Sequence, residues 1–478
     1  MDLNGGLAEA VRDPGLRRLR LPPRVDDAGI ALLRPLVRLE ELDLRTLRSL
    51  TSVGLAHLSH LSGLRTLHLP PQTGDADLPG LRSLRSLERL DLGNCRNVTP
   101  QGIAALRACA RLRALNLSGI RNLNDNVLAS LALLPVLQEL DLSHTGVGAM
   151  GLAGLHRLTS LRELRLTGAP VRASAMAEVA SLTRLERLDL DATPLSSGAL
   201  GPLEGLVHLR SLALPAGVTA TVLRGFRALS RLSTLRVHDS VVDDAGASAL
   251  ALFPALRRLH LNGAPISDAG LVHVAALADL EELHLSGTRV TGAGLMPLSS
   301  LRRLARLSLS GTTVTLGAVV RLFVQGQARP LADALLAVGL VTRDTAGNVV
   351  AIDAAGTDFG DEEAQHLGSL PALRELHLAA TRITDAGMPG VAKLRALERL
   401  YLARCAIGDS GLAHVRGLTQ LQSINLYGTR VTGAGLEHLH GLTHLRLLSV
   451  TDLKLSVAAV DRLKQKLPRL TVTDYSPE

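Results

Sequence analysis

The pattern Leu-x-x-Leu-x-Leu recurs along almost the whole chain, and such a recurrence limits the fold more tightly than length or composition does. It begins at Leu16, Leu39, Leu64, Leu87, Leu112, Leu137, Leu161, Leu185, Leu209, Leu232, Leu256, Leu280 and Leu304, at steps of 23 to 25 residues. After a gap of 45 residues it resumes at Val349 and returns at Leu373, Leu397, Leu421 and Leu445, each step 24 residues. Thirteen units and five more make eighteen, with a candidate terminal strand at 467–472. A chain of 478 residues is too long for one compact core. A repeat array escapes that limit, because each unit buries itself against its neighbours.

Two periods lie within one unit. Leu373, Leu376 and Leu378 open it as a short strand, and Met388, Val391 and Leu394 follow at helical spacing. Each unit therefore reads as strand, turn and short helix. Thr384 and Asp385 offer N-caps for that helix, with equivalents at Ser267-Asp268 and Asp243-Asp244. Ninth in the unit stands Thr145, Thr193, Thr288, Thr312, Thr381 or Thr429, whose hydroxyls can satisfy turn backbone groups. Units stacked in register form one parallel sheet inside and helices outside, with an inner path of roughly 85 Å for eighteen strands. The chain is 46% hydrophobic but has no Trp, three Tyr and four Phe, so Leu, Val and Ala must fill its core.

The units LEELHLSGTRVTGAGLMPLSSLRR (280–303) and LRELHLAATRITDAGMPGVAKLRA (373–396) resemble those of the leucine-rich-repeat family. The unit LERLDLGNCRNVTPQGIAALRACAR (87–111) resembles the cysteine-containing, ribonuclease-inhibitor-like subclass, with Cys95 and Cys109 where that subclass places its cysteines. This resemblance, of bacterial type, implies an α/β right-handed solenoid, a horseshoe with the parallel sheet concave and short helices convex. It also implies a non-enzymatic scaffold that binds a protein partner on the concave sheet without a cofactor. Threonine in the ninth position departs from the family's asparagine. The same subclass suggests a second reading, a bacterial effector or ubiquitin-ligase substrate adaptor acting on host proteins. Against it, the residues before Leu16 are too few for an F-box domain and no ligase domain follows the repeats.

The broken period divides the chain into a first array, 1–316, an interruption, 317–348, and a second array, 349–478. The interruption holds an expected helix at 331–338 and a hairpin-like run, LVTRDTAGNVVAID, turning at Ala346-Gly347-Asn348. It resembles the opening cap of bacterial leucine-rich-repeat arrays, and a long bulge from one continuous solenoid is the alternative. AVDRLKQKLPRLTV reads as a terminal cap with its lysines toward water, whereas residues 1–15 make a thin one.

Lys and Arg exceed Asp and Glu by 52 to 44, a formal +8, and all but Lys393, Lys454, Lys464 and Lys466 of these cations are Arg. Nucleic-acid binding would need clustered cations interleaved with aromatics, which this composition disfavours. Three cysteines form no even framework and point to a reducing compartment. The start, Met-Asp-Leu-Asn-Gly-Gly, shows no basic and apolar leader, and no run reaches the roughly 20 apolar residues of a membrane span. The expected location is cytoplasmic, with export by a signal-less route as the alternative.

The exposed strand positions are the third, fifth and seventh of each unit. Positions two and three alternate in charge, as Arg257-Arg258 beside Glu281-Glu282 and Arg374-Glu375 beside Glu398-Arg399, which reads as a structural ladder. Two groups stand out as partner-binding candidates. Tyr401 and Tyr427 are expected to project from neighbouring strands, with His377, Arg399, Ser423 and Asn425 about them, and interface hot spots favour Tyr and Arg. Arg236, His238, Arg258, His260 and His284 place histidines on successive strands, a pattern suited to an anion, a carboxylate-rich partner or a metal. No acidic or thiol ligand joins them at metal-binding spacing, so no metal is expected. Asp43, Asp91, Asp141 and Asp189, interrupted by His68 and Asn116, read as solvated acids.

No nucleophile and base assemble into a catalytic pattern. Gly408-Asp409-Ser410-Gly411 matches a serine-protease string but occupies the turn where other units carry Thr-Asp-Ala-Gly. His438, His440 and His444 fall on an outer helix and its exit, and the three cysteines occupy inward-packing positions.

Overall fold

The computed structural model describes residues 11–13, 15–123, 126–148 and 152–473, so the expectation of a thin cap over 1–15 lies largely outside the described residues. The chain divides into two compact units, Met1–Pro265 and Ile266–Glu478.

In the first unit eleven strands follow one another in sequence order: β1 (Arg18–Arg20), β2 (Glu41–Asp43), β3 (Thr66–His68), β4 (Arg89–Asp91), β5 (Ala114–Asn116), β6 (Glu139–Asp141), β7 (Glu163–Arg165), β8 (Arg187–Asp189), β9 (Ser211–Ala213), β10 (Thr234–Arg236) and β11 (Arg258–His260). Each pairs in parallel with the next, leucine opposite leucine, as Leu42↔Leu67 and Leu67↔Leu90. The register follows from burial. Leu42 and Leu44 are fully buried, and a slip of one residue would turn both toward water.

The second unit opens with β12 (Glu282–His284) and β13 (Arg306–Ser308), again parallel. There the succession breaks. A helix at Leu331–Ala337 precedes β14 (Val341–Arg343), which pairs antiparallel with β15 (Val349–Asp353). The Asp344 carboxylate closes this hairpin by accepting the Ala346 and Asn348 amides at 3.0 and 2.9 Å, with Gly347 at φ +87°. Buried Gln327 donates its amide to Leu298 O and Leu301 O at 3.2 and 2.9 Å, joining the interruption to the unit before it. Parallel pairing then resumes through β16 (Glu375–His377), β17 (Arg399–Tyr401), β18 (Ser423–Asn425), β19 (Leu447–Ser449) and β20 (Thr471–Thr473). The helix Val457–Lys466 buries Ala459, Val460 and Leu463 and leaves Lys464 and Lys466 exposed.

The outer segments are shorter and tighter than full helices. Many are α-helical for one or two turns, and others are 3₁₀, including Ser197–Gly205 and Ala293–Ser300. Pro202 and Pro297 lie inside these two, where a missing N–H cannot continue an α-helical ladder.

Three devices repeat at the turns. In most units the eighth residue adopts a left-handed conformation, glycine in units such as Gly168, Gly287 and Gly428 but Ala192 and Ala380 at φ +53° and +55° in others. The ninth-position threonine donates to the carbonyl three residues back, at 2.6 Å from Thr193 to Leu190 and 2.7 Å from Thr381 to Leu378. This bond takes the place of an asparagine at that position.

The third device joins successive units. Thr384 and Ser267 cap their own helices, accepting from Ala386 and Ala269 at 3.2 and 3.4 Å. The aspartate beside the cap reaches instead to the next unit. Asp75 accepts the Thr99 amide at 2.7 Å and its hydroxyl at 2.5 Å, and Asp361 and Asp409 hold Thr384 and Thr432 in the same way. A glycine three residues beyond the threonine makes room: a Cβ on Gly102 would lie 2.8 Å from the Asp75 carboxylate carbon, and one on Gly435 2.9 Å from that of Asp409.

Candidate partner-binding face

Three-residue strands hold their odd-numbered unit positions outward, and the side chains there interact across strands. The charge alternation forms ion pairs: Arg399 lies 2.9 Å from Glu375, Arg65 2.9 Å from Glu88, and Arg187 3.0 Å from Glu163. The Arg399–Glu375 and Arg65–Glu88 pairs stand at the surface and add at most about 1 kcal/mol each, whereas Glu163 is buried.

In the second unit, the His377 and Tyr401 rings pack with centroids 4.9 Å apart and tilted by 51°. Asp353, one strand earlier, approaches His377 Nδ1 at 3.4 Å. Tyr427 departs from its expected placement. It stands two residues past the end of β18, because each strand ends at the fifth unit position and the seventh already belongs to the turn. There Arg404 lies over its ring at 5.1 Å and donates to its hydroxyl at 3.1 Å. Asn425 accepts the Tyr427 amide at 2.9 Å and so fixes the turn. The two tyrosines therefore present separate surfaces, one over His377 and one under Arg404.

In the first unit, His238 and His260 meet edge to face at 5.7 Å, Arg258 donates to Thr234 Oγ1 at 3.0 Å, and Arg236 pairs with Asp189. In the second unit His284 Nε2 lies 2.6 Å from Glu282 Oε1. An acidic neighbour thus joins one of these histidines, contrary to the sequence reading. The two residues alternate on one strand and share its outer face.

The four aspartates are also paired, not solvated. Asp43 is 7% exposed and takes both the Nε and Nη2 of Arg45, at 3.0 and 2.8 Å; these bonds hold its carboxyl down to about 2. At Asp91 burial opposes ionisation, yet the bond from His68 at 3.0 Å and the Gly93 amide at 2.9 Å leave its pKa lowered. Asn116 donates to the same carboxylate at 2.7 Å, and Arg165 stands 3.6 Å from Asp141. Each of the four accepts the amide two residues on, as Asp141 does from Ser143 at 2.9 Å. This is an Asx turn ending the strand, a signal readable wherever Asp or Asn stands fifth in a unit. Beside Asp91, Asn116 and Asp141 lies a cleft of about 230 Å³, lined by Leu90, Leu115 and Leu140 and spanned by a two-bond Arg89–Glu139 pair at 2.8 Å.

The cysteines are free and buried, as their positions imply. Burial raises the Cys95 thiol to about 12 and the Cys109 thiol to about 11, far from a nucleophile's range. No helix among the described residues is long and apolar enough to cross a membrane.

No curated protein matches the chain in sequence. Among solved structures, an internalin of Listeria monocytogenes is 20% identical with a TM-score of 0.31, over 78% of this chain and 83% of that one. A leucine-rich-repeat protein of Leptospira interrogans is 19% identical with a TM-score of 0.39, over 98% of each chain. A second Listeria monocytogenes internalin is 27% identical with a TM-score of 0.35, over 44% of this chain and 84% of that one. The family profile described as a leucine-rich repeat region matches residues 26–315, more than half of the chain, and one described as a leucine-rich repeat matches 393–413. With its repeating strands and turns, this match shows that the chain belongs to the leucine-rich-repeat family.

Proposed function

We propose that this protein is a non-enzymatic interaction module that binds a protein partner on the outward side of its strands, centred on β16 to β18. Leucine-rich-repeat proteins are generally protein-interaction modules, which supports the class. The observation that carries the location is Tyr401. Its ring rests on His377 and is only partly covered, and its hydroxyl has no partner among the described residues. A tyrosine that does not complete the core, in a chain with so few aromatics, suits an interface anchor. Arg399 and Asn425 flank it on β17 and β18, and Tyr427 under Arg404 offers a second, separate contact. Arg236, His238, Arg258 and His260 in the first unit, and His284 in the second, are further contact strips under this reading.

Residues 317–348 are read as the cap that opens a second array, supported by the antiparallel hairpin whose β15 starts the parallel succession into β16. A cytoplasmic, bacterial protein of the cysteine-containing subclass is the finer reading, supported by three free thiols and by the inward packing of Cys95 and Cys109. The effector or ligase-adaptor alternative rests on that subclass and predicts capture of a ligase scaffold.

The test is affinity capture from the native cell with wild type and with Tyr401→Ala/Tyr427→Ala, followed by identification of co-purifying proteins. A protein retained by wild type and lost by the double variant supports the reading. Equal retention moves the site away from β16 to β18 and refutes it.

A further inference from the structure

On the first unit, a depression of about 230 Å³ is lined by Arg162, Arg184, Glu186, His208, Arg210 and Arg231. They come from three successive repeats at two equivalent positions: the second of the unit for Arg162, Glu186 and Arg210, and the residue just before the unit for Arg184, His208 and Arg231. Four guanidinium groups thus surround one carboxylate. Glu186 engages Arg162 at 2.5 Å and Arg210 at 3.7 Å. Arg231 turns to the His208 imidazole at 3.4 Å, and Arg184 has no anionic partner among the described residues. Four guanidinium charges against the one Glu186 carboxylate leave the pocket three uncompensated positive charges.

We infer that this pocket receives a phosphorylated side chain of a protein partner. The excess charge exceeds what a single carboxylate offsets, whereas a phosphoryl group brings nearly two negative charges and three acceptor oxygens to guanidinium forks. The cluster is compact. Gln138 and Ser160 occupy the equivalent positions before it, and Ser233 and Ala255 those after it, so it spans about 10 Å across three strands. Single-stranded nucleic acid asks for a longer cationic groove with aromatic platforms, and no aromatic ring other than His208 lines this one. The inference rests on the protein-binding reading only for the source of the phosphoryl group; the pocket can be tested on the chain alone.

The experiment is calorimetric titration of the full chain with a Gly-Ser-phosphoserine-Ser-Gly peptide, its glutamate counterpart and a short oligothymidine, at about 0.15 M salt. Wild type should bind the phosphopeptide in preference to the other two. Arg184→Gln/Arg231→Gln should weaken that binding about tenfold or more, the loss expected for a charge-assisted bond. Arg113→Gln, an exposed cation at the same unit position outside the cluster, should leave it unchanged, and matching thermal melts show that the variants are folded. Equal affinity for the glutamate peptide, tighter binding of oligothymidine, an unaffected double variant, or no phosphopeptide binding would each overturn the proposal. If the phosphopeptide binds while Tyr401 and Tyr427 variants retain every captured partner, the β16–β18 site falls and this one stands.

Discussion

The carboxylate that links successive repeats should be energetically coupled to the glycine facing it, and the pair Asp75 and Gly102 isolates the effect. Asp75→Ala removes the acceptor of the Thr99 amide at 2.7 Å and of its hydroxyl at 2.5 Å. The loss should be about 2 kcal/mol, since caps contribute about 1 and charged hydrogen bonds somewhat more. Gly102→Ala would ordinarily gain about 1 kcal/mol inside a helix. Here the new Cβ would lie 2.8 Å from the Asp75 carboxylate carbon and closer still to an oxygen, so the carboxylate must leave its bonds. The net change is a loss of about 1 kcal/mol. In the double variant the nearest Asp75 atom left is its Cα at 3.1 Å, and the propensity gain returns. The double variant should therefore lose about 1 kcal/mol, not the sum of about 3, a coupling of about 2 kcal/mol. Repeat arrays need not unfold in one step, so hydrogen exchange at the Thr99 amide and at the amides of residues 101–104 is the suitable assay. Additive losses, or a Gly102→Ala variant more stable than wild type, would refute the reasoning.

Thr193→Val deletes the buried hydroxyl bond to Leu190 and should cost about 1 kcal/mol in urea unfolding. Asp43 has a folded-state pKa depressed to about 2, so its stabilisation is full above the ordinary carboxylate value of about 4 and is lost as pH falls through 2. Melting temperature should thus fall between about pH 5 and pH 2 more steeply in wild type than in Asp43→Asn. Cys95 and Cys109, buried and with raised thiol pKa values, should resist iodoacetamide at about pH 8 in the native protein and react fully in denaturant.

The repeat itself was legible because the leucines that mark it are the buried ones, and Thr384 and Ser267 were legible as caps because capping is local in sequence. The link from Asp75 to Thr99 was not, although Asp361 with Thr384 and Asp409 with Thr432 repeat it. It pairs residues a full unit apart, and only stacking brings them together. Asp43 and Asp91 were misread as solvated for a related reason. A polar residue on a strand's outer face looks free until its own turn brings Arg45 back to Asp43 and the adjacent strand brings His68 to Asp91. Tyr427 was placed on a strand because position seven shares the outward parity of three and five, whereas the backbone has already entered the turn. The pocket around Glu186 escaped notice because its cations alternate between two positions in three repeats, which no linear motif records.

Ala192 and Ala380 hold backbone angles that seven other units assign to glycine. An ordinary side chain in that conformation carries strain of about 1 to 2 kcal/mol. Erasing one methyl group at either site should make the protein hardier, the reverse of the usual result of trimming a side chain. A lineage of such repeats can therefore drift at these corners without losing its shape, and an engineer can recover the margin with two single-codon changes.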